Sequence, residues 1–273
     1  MTDSCPSVDL PAFMLRVARS PQSALLLDYD GTLAPFELDR QQAVPYPGVA
    51  DLLQEIMDTE CTRVVVISGR PAQELLPLLK LSPSPEVWGT HGIERLCSDG
   101  TYELAEMDHH SLVALDEADQ WVDGLKLHHL IEHKPGSLAL HWRGYSEEEA
   151  REIRSKVLLG WADIADRGCL RLEHFDGGIE IRIAHRNKGD AVRAILSEIE
   201  VDAPVAYLGD DDSDEDAFQA LQDRGVRILV RPHWRETAAD LWLRPPVQLL
   251  AFLNDWLQAC KQASMARVRA RSA

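Results

Sequence analysis

Leu25-Leu26-Leu27 runs without alternation into Asp28-Tyr29-Asp30-Gly31-Thr32-Leu33, so an apolar stretch ends abruptly in two carboxylates and a glycine turn. A strand that is apolar toward both faces belongs in a parallel sheet covered by helices, and such strands deliver ligand-binding residues at their carboxyl ends. Residues i and i+2 of an extended segment share a side, so Asp28 and Asp30 are expected to converge on one small volume. Carboxylates held that close repel unless a cation lies between them, and a hard dication with oxygen ligands, most simply Mg2+, fits. The plain alternative is a pair of aspartates capping a turn before Gly31.

Further stretches repeat the design. Arg63-Val64-Val65-Val66-Ile67 ends in Ser68-Gly69-Arg70, with Pro71 placed to open a helix, which offers an anion a hydroxyl and free backbone N–H groups. Pro204-Val205-Ala206-Tyr207-Leu208 runs into Gly209 and then Asp210-Asp211-Asp212-Ser213-Asp214-Glu215-Asp216, where six of seven residues are acidic and need a metal or good solvation. Asn187-Lys188-Gly189-Asp190 opens a helix with the apolar stripe Val192, Ile195, Leu196 and Ile199, and Lys188 brings a positive charge suited to a phosphate.

Between these strands, Pro45-Tyr46-Pro47-Gly48 makes a turn. The helix after it carries Val49, Leu52, Leu53, Ile56 and Met57, completing a βαβ unit. A helix from Pro71, interrupted by Pro77, leads to a third strand at Glu86-Val87-Trp88-Gly89, and His91-Gly92-Ile93-Glu94 follows as either a ligand-facing segment or an ordinary glycine turn. The class is α/β with a parallel sheet. From about Leu112 the pattern becomes helix, strand, strand, helix, strand, strand, which marks an inserted α+β domain over 112–185 within a core of 1–111 and 186–273. Its strands Ser137 to Arg143 and Gly178 to Ala184, joined to the preceding strand through Pro135-Gly136, alternate apolar with polar residues. One face therefore presents Glu132, Lys134, His141, Arg143, Glu180 and Arg182, either a sugar-binding surface or a solvated sheet face. Its second helix opens on Ser146 with capping-box spacing to Glu149 and carries Ala150, Ile153, Val157, Trp161 and Ile164. After Phe218 come a strand at Val226 to Val230 and, beyond Pro245-Pro246, a helix with Leu249, Phe252, Leu253, Trp256 and Leu257 on one stripe.

Composition narrows the partners. A net charge of −17, from 28 basic and 45 acidic residues, repels nucleic acid and anionic membrane surfaces, so a phosphorylated ligand needs a local positive site. The short basic cluster Arg267 to Arg271 reads as a solvated tail. Cys5, Cys61, Cys97, Cys169 and Cys260 are scattered without a C-x-x-C pair, and Met1-Thr2-Asp3-Ser4-Cys5-Pro6 has no leader-like pattern, which together point to a reduced cytoplasmic protein without a membrane span. The doublets His109-His110 and His128-His129 lack metal-ligand spacing. Nothing in the pattern sets the oligomeric state.

The order D-x-D-G-T, a strand ending in Ser, Lys at a helix start, then G-D-D-x-x-D resembles the four motifs of haloacid-dehalogenase-type phosphatases. "DYDGTL", "VVVISGR", "HGIE", "NKG" and "GDDDSDEDAF", spread over Leu25 to Phe218, are similar more narrowly to the trehalose-6-phosphate phosphatase family. Ser213 departs from the expected Thr but keeps a hydroxyl. The resemblance implies a Rossmann-like core with an inserted cap that opens and closes over the active site. It implies hydrolysis of a sugar phosphate through an aspartyl phosphate on Asp28, with Asp30 as general acid and base and Ser68 and Lys188 on the phosphoryl oxygens. Mg2+ would sit on Asp28, the Asp30 carbonyl and Asp210, with Asp214 binding through the metal's water or orienting Lys188. Gly69, Arg70, His91 and Glu94 would join the cap residues in holding substrate. Phosphatases of glucosyl- or mannosyl-phosphoglycerate or of sucrose phosphate share these core motifs. A phospho-receiver also gathers aspartates, a hydroxyl and a lysine around Mg2+, but is about half as long and has no place for an inserted domain.

Overall fold

The structure, a computed structural model, describes residues 8–37, 39–175 and 177–271. The stretch Met1 to Pro6, with Cys5, lies outside them. In chain order the elements are α1 (Leu10–Arg19), β1 (Ser23–Leu27), α2 (Val49–Asp58), β2 (Thr62–Ile67), α3 (Ala72–Leu79), β3 (Glu86–Gly89), β4 (Glu94–Leu96), β5 (Tyr102–Leu104), α4 (His109–Gly124), β6 (Ile131–Lys134) and β7 (Ser137–His141). They continue with α5 (Glu147–Gly168), β8 (Leu170–Phe175), β9 (Gly178–Ile183), α6 (Lys188–Ser197), β10 (Val205–Gly209), α7 (Glu215–Leu221), β11 (Val226–Val230), β12 (Leu241–Leu243) and α8 (Val247–Arg271). They form two compact units, Met1–Glu103 with Asn187–Ala273, and Leu104–Arg186. The second unit begins ahead of residue 112, because α4 opens at His109 on an Asp108 cap whose carboxylate accepts from the Ser111 amide at 2.8 Å.

The first unit is built on a sheet of order β12-β11-β10-β1-β2-β3-β4-β5, parallel from β12 through β3 and antiparallel at β3–β4. The leucine triplet shows why alternation is missing. Leu25 and Leu27 pack into a core layer with residues of α1, α2, α3 and α8, whereas Leu26 packs into the opposite layer with Ala191, Val192 and Ile195 of α6 and Phe218 of α7. All three are fully buried, each contributing roughly 1.5–3 kcal/mol. Two sequence readings change here. Pro77 does not interrupt α3, which continues to Leu79. Arg267 to Arg271 form the end of α8 instead of a tail, the helix running on past Ala263, its last core residue. Among the described residues no helix is long and apolar enough to cross a membrane.

The second unit is an antiparallel sheet of order β6-β7-β9-β8, with α4 and α5 on one face around Trp161, Val157, Leu140, Ile179 and Ile181. Ser146 caps α5 in a full capping box with Glu149. In the register, Ala139 stands opposite both Glu132 and Glu180, and Ser137 opposite both Lys134 and Arg182, so these residues share the other face. Strand β7 stops at His141, so Arg143 sits in the turn beyond it, not on the sheet. There its stem fills the space over Gly177, where φ is +79° and an added Cβ would lie 2.3 Å from Arg143 Cγ.

Candidate functional site

Strand β1 is flanked by β2 on one side and β10 on the other, so the strand order reverses at β1, the place beyond whose carboxyl ends open α/β sheets bind ligands. Asp28 is the first residue past β1, held against β10 by its amide, which donates to the Leu208 carbonyl at 2.8 Å. Asp210 follows β10. Lys188 opens α6, whose entry is fixed by reciprocal capping between Asn187 and Asp190.

These residues meet inside the protein. Lys188 Nζ donates to Asp28 Oδ1 and to Asp214 Oδ1, both at 2.7 Å. Thr32 Oγ1 donates to Asp28 Oδ2 at 3.1 Å. Asp214 is saturated: Oδ1 also accepts from the Tyr207 hydroxyl at 2.6 Å, and Oδ2 accepts from the amides of Asp210 and Asp211 at 2.9 and 3.0 Å. Exposure is 3% for Asp28, 3% for Lys188, 4% for Asp210 and 0% for Asp214, which sets the electrostatics.

Burial pushes the Asp28 carboxyl up to about 7, opposed by Lys188 and reinforced by the charges of Asp214 and Asp30. Burial first, then Asp28 and Asp214, raise Asp210 well above the carboxylate range. Burial works against the Lys188 charge, but Asp214 and Asp28 outweigh it and hold its pKa above that of an ordinary lysine. Burial also disfavours ionised Asp214, yet Lys188, Tyr207 and the Asp211 amide more than compensate and keep its pKa low. The Tyr207 phenol is raised by burial and by Asp214, so it stays a donor. Three carboxylates thus face one ammonium. Among the described residues, Asp28, Asp210 and Asp214 form the acidic group whose ligand atoms lie within 4.8 Å of one another. Two of these oxygen donors, Asp28 and Asp210, are raised by burial and by neighbouring carboxylates, a balance that a small dication relieves.

Gly31 keeps this space open. Its φ is +86°, and a Cβ there would fall 2.2 Å from Asp210 Oδ2. Gly31→Ala is therefore expected to displace the Asp210 carboxylate and to lower stability by about 1–3 kcal/mol, read as a shift of the urea midpoint at constant m. An unchanged midpoint would contradict this packing.

Asp30 lies near enough for its charge to raise Asp28, but its carboxylate turns to Arg70 and not to the group of Asp28, Asp210 and Asp214. Strand pairing ends at Leu27, and the chain turns so that Asp30 bridges to Ala34. Its carboxylate is gripped in a fork by Arg70, Nε to Oδ2 at 2.6 Å and Nη2 to Oδ1 at 2.5 Å, while Arg70 Nη1 donates to the Arg40 carbonyl at 2.7 Å. Ser68 is buried, with its Oγ accepting from the Arg70 amide at 3.1 Å and its carbonyl accepting from the His91 amide at 2.9 Å. Gly69 gives room to His91, whose Nε2 would lie 2.7 Å from an added Cβ. One of the amides expected to offer an anion a site at the start of α3 is taken. Pro71 is the N-cap rather than the first helical residue, and the Ala72 amide donates to Glu94 Oε1 at 2.9 Å. Glu94 Oε1 accepts from Thr90 Oγ1 and its Oε2 from the Tyr102 hydroxyl, each at 2.9 Å, so this carboxylate ties α3 to β4 and β5.

On the polar face of the second unit, Lys134 Nζ pairs with Glu180 Oε1 at 3.0 Å and His141 Nε2 lies 2.7 Å from Glu132 Oε2. Arg182 is fully buried, donating to Glu173 Oε1 at 2.6 Å and to the Arg186 carbonyl at 2.5 Å, so its guanidinium serves the sheet. Sequence reasoning missed Tyr207 and Thr32. Each reads as a strand or turn residue, and no spacing rule links Tyr207 to Asp214.

The model of the trehalose-phosphatase family matches residues 26–242. The chain is 31% identical to the trehalose-phosphate phosphatase of Mycobacterium marinum over 249 residues, covering 85% of this chain and 60% of that protein. It is 30% identical to the Mycobacterium ulcerans trehalose-phosphate phosphatase, again covering 85% and 60%. The chain thus spans about three fifths of the length of these relatives. Among solved structures, the C-terminal domain of C. albicans trehalose-6-phosphate phosphatase superposes with a TM-score of 0.74 at 20% identity, covering 94% of this chain and 99% of that one. A phosphatase of the haloalkanoate (HAD) enzyme superfamily from Bacteroides thetaiotaomicron gives 0.58 at 16% identity, covering 86% and 95%. These structures share its fold. The family-model match over 26–242, most of the chain, establishes that this chain belongs to the trehalose-phosphatase family.

Proposed function

We propose that the protein hydrolyses trehalose 6-phosphate to trehalose and inorganic phosphate. The observation that carries this reading is Lys188 Nζ bridging Asp28 and Asp214 at 2.7 Å beside Asp210, at the point where the sheet order reverses. Asp28 attacks phosphorus, the bond to the sugar oxygen breaks, and Asp30 protonates that oxygen. Water then attacks the aspartyl phosphate, Asp30 takes the water's proton, and phosphate leaves with Asp28 restored. Arg70 holds Asp30 between turnovers, and Asp30 leaves this fork to carry the proton in both halves. Lys188 and Ser68 hold the phosphoryl oxygens, and Asp214, saturated by four donors, orients Lys188 rather than ligating metal. Asp28, Asp210 and the Asp30 carbonyl are the residues to hold Mg2+, which when bound neutralises phosphoryl charge. Cys61, Cys97, Cys169 and Cys260 are free thiols, which supports a cytoplasmic setting. The test is phosphate release from a panel of trehalose 6-phosphate, sucrose 6-phosphate and glucosyl- and mannosyl-phosphoglycerate. The reading fails if another member is turned over faster than trehalose 6-phosphate.

Recognition of the sugar is assigned to the polar face holding Glu132, Lys134, His141 and Glu180. These offer donors and acceptors around the small Ala139, as a polyhydroxyl ligand requires. Glu132→Ala or Glu180→Ala is expected to lower kcat/KM for trehalose 6-phosphate about 10- to 150-fold, while hydrolysis of p-nitrophenyl phosphate changes little. Equal losses on both substrates in well-folded variants would show this face to be surface only.

A further inference from the structure

Tyr207 and Lys188 share one acceptor. Asp214 Oδ1 takes the ammonium at 2.7 Å and the phenol at 2.6 Å, while Oδ2 is filled by two backbone amides. The Tyr207 ring lies edge-on to Phe218 with centroids 5.6 Å apart and is fully buried, packing that a phenylalanine would supply equally well. The hydroxyl needs a separate reason, since burying it costs desolvation that only a useful hydrogen bond repays. Its partner is the carboxylate that competes with Asp28 for Lys188.

We infer that Tyr207 is a positioning residue for Lys188: by occupying Asp214 Oδ1 it weakens the hold of Asp214 on the ammonium and leaves Lys188 Nζ directed at Asp28 and the phosphoryl group. Without the phenol the undivided charge of Asp214 Oδ1 falls on Lys188 and draws it away from Asp28. This inference rests on the phosphatase reading above.

Tyr207→Phe removes one oxygen and keeps the ring, and Tyr207→Leu removes the ring as well. With trehalose 6-phosphate and Mg2+, Tyr207→Phe is expected to lower kcat about 5- to 50-fold and leave KM within about twofold. The inhibition constant of orthovanadate, which mimics the five-coordinate phosphoryl group, is expected to rise by a similar factor. Tyr207→Leu is expected to lower Tm but to add little further loss of kcat. The parent enzyme is measured alongside. A parent that releases phosphate from no member of the sugar-phosphate panel defeats the phosphatase reading, and this inference with it. With an active parent, two results overturn the positioning role alone: kcat and vanadate inhibition of Tyr207→Phe within about twofold of the parent, or a loss of kcat seen only in Tyr207→Leu alongside its Tm.

Discussion

Asp28→Asn is expected to lower turnover of trehalose 6-phosphate by at least about 10³-fold, to the limit of a phosphate-release assay, while the protein stays folded. An amide of the same size retains the hydrogen-bonding reach of the carboxylate but lacks the lone-pair charge that attacks phosphorus. Stability should change by no more than about 1 kcal/mol, because two effects oppose. Lys188 loses one of its two anionic partners, yet Asp214 still holds it, and the repulsion that raises Asp28 and Asp210 is relieved. The comparison needs kcat and the thermal midpoint from the same preparation. Retention of more than a tenth of parental kcat in a folded Asp28→Asn protein would rule out covalent catalysis at this position.

Removal of divalent metal is expected to abolish activity as completely. Asp28, Asp210 and Asp214 stand within 4.8 Å with a single ammonium among them, a charge balance that phosphate binding would worsen. Excess EDTA should stop phosphate release and Mg2+ should restore it. Ca2+ should fail, since it takes more oxygen ligands at longer distances and would engage Asp28 in a geometry unsuited to attack. Calorimetry gives a second readout: Mg2+ at about 100 times its Kd should add about 2.7 kcal/mol of stability, an increment absent in EDTA. Full turnover in chelator, or a thermal midpoint insensitive to Mg2+, would refute the assignment of Asp28 and Asp210 to a metal.

Much of this was legible in the sequence because the parallel sheet leaves a strong mark. A strand buried on both sides must be apolar throughout, so Leu25 to Leu27 and Val64 to Ile67 announced both layers, and the residues past them fell where ligands bind. Lys188 was legible because a helix start fixes direction as well as position. What failed was geometry past the strand ends. The i, i+2 rule that brought Asp28 and Asp30 together holds only while the chain stays extended, and the Asp30–Ala34 bridge ends that condition. The amide that α3 offered to an anion was claimed by Glu94, a competitor from a strand not foreseen at that place. Strand β4 and the edge strands β5 and β12 are three residues each, too short for period two to register against the surrounding loops. Tyr207 is the clearest case of a residue whose apolar ring dictated its reading while its single oxygen serves the site.

The hydrogen bonds around Asp214 also set an order of assembly. Its links to Tyr207, Asp210 and Asp211 span seven, four and three residues of chain, so closing them sacrifices little loop entropy once β10 is in place. The link from Lys188 to Asp28 spans 160 residues, with the whole unit Leu104–Arg186 lying between them in sequence. The Asp214 side of the centre, with Lys188 only 26 residues away, is thus templated within its own stretch of chain, and Asp28 joins it only when a long excursion of chain has returned. A lesion that slows that return would yield a protein able to gather Lys188, Asp210 and Asp214 yet lacking the carboxylate of Asp28.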